Sequence, residues 1–383
     1  MPIDCARRLS GSPYWLEDPA PPIPRRALDG PPDVVVVGGG ITGCAAARAL
    51  AEAGARVRLH EAREIAGGAS GRNGGFALRG GAASYGVTAA TIGRPEARRL
   101  WRLTEEALDR LASLAGDALR RTGSLRLAAD DEERDELRAE LELLREDGFA
   151  AEWVDEPLDG RFRAAIFHPV DASLQPARAV RRLAALAAGA GVEIREHSRL
   201  VSAAGLDGAD VLVATDGYPS GLLGPLEGLI VPTRGQMIAT EPLSARLFDC
   251  PHYGRHGFDY WQQLQDGRIL AGGFRDFALD TEFTADERTT APIQDALESF
   301  VAELVGRPVE VTHRWAGIFG LVLDFLPVVG RVPGEERLWV AGGYSGHGNV
   351  LGLLCGELVA QAILGRPAPE LAWFSPERLL RAA

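Results

Sequence analysis

The chain has 383 residues and a formal net charge of −12, and all 41 of its basic residues are Arg; it contains no Lys. That absence excludes a P-loop, which places a Lys on the β/γ-phosphates, and Schiff-base chemistry such as that of pyridoxal phosphate, which needs a Lys amine. The acidic balance argues against nucleic acid or an anionic membrane surface as a partner.

With 46% hydrophobic residues the chain can bury a large core, and at about 150 residues per domain its length suggests two domains. Cys5, Cys44, Cys250 and Cys355 are scattered, with no CxxC pair, as expected in a reducing cytosol. No apolar run approaches the roughly 18 residues of a membrane span, and Met1–Ser10 has no apolar signal core. The expectation is a cytoplasmic protein without a membrane span.

Residues 1–32 carry eight prolines and read as an extended arm, because Pro fixes φ and blocks helices. Tyr14, Trp15 and Leu16 would tack it to the body. Asp33–Val37 is a β-branched run suited to a buried parallel strand. The turn Gly38–Gly43 follows, then a small-residue helix over Cys44–Ala53 and a second strand over Ala55–His60. A Gly-rich segment spans Ala66–Gly86. Helices are predicted at about 95–115 and 130–147. Another within 171–191 presents Val180, Leu183, Leu186 and Ala187 on one face. Val192–Arg195 and Val211–Ala214 read as short strands joined through an Asp207-Gly208 turn.

From about residue 225 the pattern changes to sheet. Ile230–Thr240, Phe258–Gln265, Arg268–Phe274 and Val309–Phe319 read as strands, with a hairpin at Asp266-Gly267. A helix at about 286–305 carries Ile293, Leu297, Phe300, Val301 and Leu304 as a stripe. The first style then returns: a strand at Arg337–Ala341, a Gly-rich turn at Gly342–Gly348 and a helix at Asn349–Leu364. Nucleotide-type elements thus occur at the start, middle and end, which predicts an α/β (α+β) chain. A discontinuous Rossmann-like domain (33–85, 165–225, 320–383) would be interleaved with a second domain (86–164, 226–319) built on an antiparallel sheet.

Four motifs carry chemistry. Gly38-x-Gly40-x-x-Gly43 follows a strand, opens a helix, and has Glu61 at the end of the next strand. Its glycines permit close approach of a dinucleotide diphosphate, and Glu61 would accept from ribose hydroxyls. Glu61 also disfavours the 2′-phosphate of NADP. The string 67–75 can wrap backbone around a planar or phosphorylated ligand, with Arg72 as fixed charge and Ser70 as a hydroxyl. Ala214-Thr215-Asp216-Gly217-Tyr218 leaves a buried strand and could close over the adenosine half, or be a plain strand exit. Gly342–Asn349 aims a helix N-terminus at its ligand, the environment a reduced flavin needs. A C-x-H-x3-H string at Cys250, His252 and His256 lacks a clear fourth ligand, so no metal is expected.

Seven blocks in order resemble the D-amino-acid-oxidase-like family of FAD-dependent oxidoreductases, and within it the γ-glutamylputrescine-oxidase-like amine oxidoreductases. They are the arm at Ser12-Pro13-Tyr14-Trp15, VVVVGGGITG (34–43), GASGRNGG (68–75), RGQMIATEPL (234–243), YWQQLQDGRILAGG (260–273), WAGIFGLVLDFLPVVGR (315–331) and GGYSGHGN (342–349). The resemblance implies an FAD domain and a substrate domain whose sheet covers one flavin face. It places cofactor contacts on Gly38, Gly40, Ile41, Thr42, Gly43, Glu61, Ala62 and Arg63, and on Ala69, Ser70, Arg72, Asn73, Gly74 and Gly75. Further contacts fall on Val201, Thr215, Gly217, Tyr218, Gly343, Tyr344, Gly346, His347, Gly348, Asn349 and Val350. Pocket candidates are Phe76, Tyr260, Trp261, Phe319 and Tyr344, with Tyr260 and His347 as candidate catalytic groups.

The implied reaction removes a hydride from the carbon beside a neutral amine of a small amine or amino acid, and the imine hydrolyses in water. Dioxygen or another acceptor would then take the electrons. Glycine, sarcosine or D-amino-acid oxidation is the nearest alternative. An NAD(P)H-using monooxygenase and a flavin subunit of a heteromeric dehydrogenase are the further readings. Sarcosine-oxidase-like members attach flavin through a Cys in the block matching 315–331; none stands there, which implies non-covalent FAD. The Lys those members use with dioxygen is absent as well. Residues 196–210 are too short for the usual three-stranded meander.

Overall fold

The computed structural model describes residues 11–19, 22–24, 26–202 and 208–381. Met1–Ser10, Cys5 and the Asp207 half of the expected Asp207-Gly208 turn lie outside the described residues. Among the described residues the strands form three sheets. The first is six-stranded, in the order Val328–Arg331, Leu338–Gly342, Asp210–Val213, Val34–Val37, Val57–His60, Glu193–Arg195. Its neighbours are parallel except for the Val328–Arg331 edge pair. Val34–Val37 lies inside this sheet with all four valines buried, as a strand covered on both faces requires. No strand stands between Glu193–Arg195 and Asp210–Val213 among the described residues.

The crossover between the first two strands is helix Ile41–Glu52, whose Cys44, Ala45, Ala46 and Ala47 are buried. The last helix, Gly348–Ile363, packs against it. A Cβ at Gly356 would stand 2.5 Å from the Thr42 carbonyl and 3.0 Å from the Ala45 methyl. Small residues on both helices therefore bring the two ends of the chain together on one face of the sheet.

The second sheet has eight strands: Val311–Leu321, Val231–Thr240, Ile269–Gly273, Asp259–Gln263, His252–Gly254, Ser124–Ala128, Ala164–His168, Glu152–Asp155. It is antiparallel except where His252–Gly254 meets Ser124–Ala128. Helix Ala291–Val305 buries Ile293, Leu297, Val301 and Leu304 against Trp261, Ile269, Ala271 and Phe274 of this sheet. A small third sheet joins Phe76–Ala77, Ala172–Leu174 and Leu119–Arg120.

Two expectations need adjustment. In helix Pro176–Gly189, Val180, Leu183 and Ala187 are buried, but Leu186 is 45% exposed. At about 100° per residue it falls on the flank of the stripe. The segment boundary drawn at 165 falls inside strand Ala164–His168, which belongs to the eight-stranded sheet. Its Ala164-Ala165-Ile166 run is buried throughout, so it lacks the alternation that would have marked it as antiparallel.

The arm makes one 3-10 turn, Tyr14–Glu17. Trp15 is 2% exposed, and its Nε1 donates to the Asn73 carbonyl at 2.7 Å. The Gln175 side-chain amide donates to the Trp15 carbonyl at 3.0 Å. Replacing Trp15 by Ala is expected to cost about 3–5 kcal/mol in urea-denaturation stability; a loss below about 1 kcal/mol would show that the arm is not part of the core.

Candidate active site

The fingerprint turn has almost no free volume. Gly38 has φ +112°, and a Cβ there would stand 2.5 Å from the Ala214 carbonyl oxygen. A Cβ at Gly43 would collide with the Gly38 carbonyl. Glu61 reaches back over this turn: Oε2 accepts from Gly39 N at 2.7 Å and Oε1 from Arg63 N at 2.8 Å. Ser70 Oγ accepts from Ile41 N at 3.0 Å, at the first turn of helix Ile41–Glu52. The loop 65–71 therefore lies directly against a helix N-terminus, where a diphosphate is stabilised by N–H groups and dipole.

Two distant blocks meet at an amide pair. Asn73 Nδ2 donates to Asn349 Oδ1 at 3.2 Å, and Asn349 Nδ2 returns a bond to Asn73 Oδ1 at 3.1 Å. Asn349 also donates to the Phe76 carbonyl at 2.8 Å, while Asn73 Oδ1 accepts from Gly75 N at 2.8 Å. The Gly-rich loop is thus locked to the N-terminus of helix Gly348–Ile363. Gly217 lies against the Phe319 backbone, beside Thr215. Tyr218 packs on Gly68. Ala62 is exposed, and Val201 is 69% exposed on the loop after Glu193–Arg195.

A cavity of about 190 Å³ opens beside this pair. Ala69, Arg72, Asn73, Gly74, Phe76, Tyr260, Phe319, Gly346, His347, Asn349 and Val350 line it. Tyr260 packs edge-on against Phe76, with centroids 6.0 Å apart. Its cross-strand partner is Gly272, and a Cβ there would stand within 2.6 Å of the Tyr260 hydroxyl. Burial pushes the Tyr260 hydroxyl up to about 12, so it stays protonated at neutral pH. His347 is enclosed, Nδ1 has no hydrogen-bond partner, and burial lowers its pKa to about 4. It is therefore a neutral imidazole at pH 7, suited to hydrogen bonding rather than to holding a positive charge.

Two pocket candidates sit elsewhere. Trp261 is fully buried on the opposite face of its strand, stacked on His252 at 5.1 Å and 15°. The period of two that points Tyr260 into the cavity sends Trp261 into the core. Tyr344 is 4% exposed beneath the last turn, where its hydroxyl accepts from Thr42 Oγ1 at 2.9 Å. It braces the first and last helices and does not line the cavity. The Cys250-x-His252-x3-His256 string does not converge either. His252 is buried and bonded to the Cys250 carbonyl at 2.7 Å, whereas the His256 side chain is 55% exposed at the cavity mouth.

Arg275, Tyr253, His256 and Phe325 also line the cavity and were not anticipated. Arg275 lies over the Phe258 ring at 4.3 Å and the Phe319 ring at 5.6 Å. Among the described residues no carboxylate pairs with it, since the adjacent Asp276 is taken by Arg255. Burial lowers its pKa, and the cavity lining contains no Asp or Glu. No local signal marks which of the 41 Arg will line the cavity without a carboxylate partner.

A six-stranded sheet with a glycine turn at a helix N-terminus, facing an antiparallel sheet across a cavity, is the architecture of an FAD-binding oxidoreductase. The family described as FAD dependent oxidoreductase (DAO) matches residues 33–362, and the chain belongs to it. It is 30% identical over 365 residues to gamma-glutamylputrescine oxidoreductase of Escherichia coli, spanning 87% of this chain and 84% of that one. It is also 30% identical over 371 residues to glycine oxidase of Pseudomonas aeruginosa, spanning 88% and 97%. The crystal structure of glycine oxidase from Geobacillus kaustophilus matches with a TM-score of 0.75 at 23% identity, covering 90% of this chain and 98% of that one. At that identity the likeness concerns the fold alone. No helix among the described residues is long and apolar enough to cross a membrane.

The residues fit FAD, because the glycines at Gly38–Gly43 let the turn close against Ala214 and open directly into the N-terminus of helix Ile41–Glu52, where a diphosphate is stabilised. Gly43→Leu is expected to abolish FAD retention, read from the flavin absorbance of the purified chain; normal loading would show that the turn does not hold the diphosphate. A second expectation concerns acid. Burial holds His252 at about 4 in the folded chain against about 6.5 unfolded. Its contribution is complete above pH 6.5 and is lost as pH falls towards 4, about 3 kcal/mol at most. His252→Phe should flatten that part of the stability–pH curve; an unchanged slope would show that the imidazole is not desolvated.

Proposed function

We propose that this FAD-dependent oxidoreductase oxidises the C–N bond of a small amine that also carries a carboxylate, such as an amino acid. The observation that carries this reading is Arg275, a cation held between two aromatic rings in a cavity whose lining has no acid. A partly buried guanidinium without a counter-charge carries a desolvation cost. A substrate carboxylate would restore the pairing, with bidentate geometry that Arg favours.

Non-covalently held FAD supplies the two-electron acceptor. The protein's part is binding, orientation and desolvation. Arg275 anchors the carboxylate, and Phe76, Phe319 and Tyr260 exclude water around the carbon to be oxidised. The protonated Tyr260 hydroxyl and the unpartnered His347 nitrogen stand ready to accept from, or donate to, the amine end. Since His347 stays neutral down to about pH 4, it adds no positive charge to repel the amine. Segments 33–85, 169–225 and 320–383 form the cofactor half on this reading, with 86–168 and 226–319 as the substrate half, strand Ala164–His168 going with the eight-stranded sheet. Val201, Thr215 and Gly217 would meet the adenosine end. Unpaired Cys44, Cys250 and Cys355 support a cytoplasmic setting.

The Lys-free cavity leaves the electron acceptor open between dioxygen and another molecule, and the rate of reoxidation in air separates the two. Anaerobic addition of carboxylate-bearing amines is expected to bleach the flavin's visible band; no bleaching across a panel of amines and amino acids would refute the reading. Arg275→Leu should raise KM for such a substrate by roughly 10²-fold or more, corresponding to about 2–5 kcal/mol for a broken buried charge pair. Equal KM values in the variant and the parent would remove Arg275 from the substrate site.

A further inference from the structure

One carboxylate reaches from the loop before helix Ala291–Val305 to the loop that covers the cofactor turn. Glu287 accepts from Arg63 Nη1 at 2.8 and 3.0 Å and from the Tyr218 hydroxyl at 2.6 Å. It stands 3.3 Å from Arg72 Nη1. The same two arginines hold the Gly67 carbonyl, Arg63 at 3.2 Å and Arg72 at 2.8 Å. Arg63 also lies over the Tyr218 ring at 5.1 Å. The Gly67–Gly68 turn is thus clasped from outside, while its other side meets the helix N-terminus through Ser70.

Glu287 is itself held in place. Its loop, 281–290, is secured at both ends by the Arg-Gly-Gln block. Arg234 forms a buried two-point pair with Glu282, at 2.9 and 2.7 Å, and donates to the Arg288 carbonyl at 2.9 Å. The Gln236 side chain exchanges bonds with Thr290 at 2.8 and 2.9 Å. The contacts of Arg234 and Gln236 lie outside the cavity lining, so the substrate site does not account for them.

We propose that Glu287 is a cofactor-retention latch, a positioning residue that keeps the Gly67–Gly68 turn closed over the FAD diphosphate. With the carboxylate gone, Arg63 and Arg72 face each other as uncompensated like charges. The turn then opens more often and the cofactor escapes. The Arg72 pair is the better shielded, with side chains 15% and 20% exposed against 41% for Arg63, so it retains strength that a fully solvated pair lacks. Added salt should still weaken both pairs.

The test uses FAD-loaded enzyme diluted into buffer, with release followed by the fluorescence of free FAD at low and high NaCl. Glu287→Gln keeps the size of the side chain and every contact of Arg234 and Gln236, and Glu287→Ala removes the group. Both are expected to release FAD at least about tenfold faster than the parent at low salt, a change of about 1.4 kcal/mol. Salt should speed release from the parent and leave both variants nearly unchanged. Glu52→Ala, which breaks the surface pair with Arg48, should behave as the parent. Release from Glu287→Gln within about twofold of the parent would overturn the proposal. Slower release would overturn it too, by showing that the carboxylate competes with the diphosphate for the two arginines. So would a salt response that survives in the variants.

Discussion

Asp216 is a carboxylate enclosed at the C-terminal end of strand Asp210–Val213, and three backbone N–H groups converge on it. Gly320 donates at 3.0 Å, Gly343 at 2.8 Å and Tyr344 at 3.4 Å. Burial raises its pKa, and these N–H groups oppose the rise. Burying an ion costs several kcal/mol unless hydrogen bonds satisfy it, so the arrangement demands that all three segments be present together. They are the exit of a central parallel strand, the end of the long strand Val311–Leu321, and the turn before the last helix. One side chain thereby ties the six-stranded sheet to the eight-stranded one at the edge of the cavity. The glycines follow from it: a Cβ at Gly320 would stand 2.9 Å from Asp216 Oδ1, and one at Gly342 would stand 3.1 Å from its Cα.

The rest of the site hangs from that junction. With the turn at 342–348 fixed, helix Gly348–Ile363 starts where Asn349 can bond Asn73. The Gly-rich loop is then held between two helix N-termini. The opposite wall is the face of the eight-stranded sheet that shows Tyr260 and Phe319. Charge completes the picture. The arginines around the site are mostly paired with carboxylates or carbonyls, Arg72 and Arg234 among them, and Arg275 alone of the cavity's arginines is left facing aromatic rings. The absence of Lys sharpens this contrast, because every fixed cation is a planar fork that seeks paired acceptors.

Much of this was legible from residues alone where the physics is local. A strand of four valines, a glycine turn, a small-residue helix and an acid at the next strand's end are read over fewer than 30 residues, and the structure has that unit. The arm's anchoring by Trp15 was legible because a large apolar residue among prolines has few other uses. Tyr260 and Trp261 show the limit: adjacent aromatics in one strand must face opposite sides, but nothing local says which side is the cavity. Ala164–His168 was misassigned for a related reason, since a strand buried on both faces has no alternation to read. Locally Asp216 reads as part of a strand exit, and its role needs two segments more than 100 residues away.

The sequence by itself determined the cofactor turn and the two-style chain, because these rest on backbone clearance and periodicity within short windows, and the enzyme family through the resemblance of seven ordered blocks. Tertiary structure alone decided which arginine stands in the cavity without a carboxylate, which aromatic faces the cavity, and which carboxylate spans the two sheets. Those are properties of pairs brought together by folding. Burial and charge compensation depend on what stands opposite a side chain, and the order of residues along the chain does not carry that information.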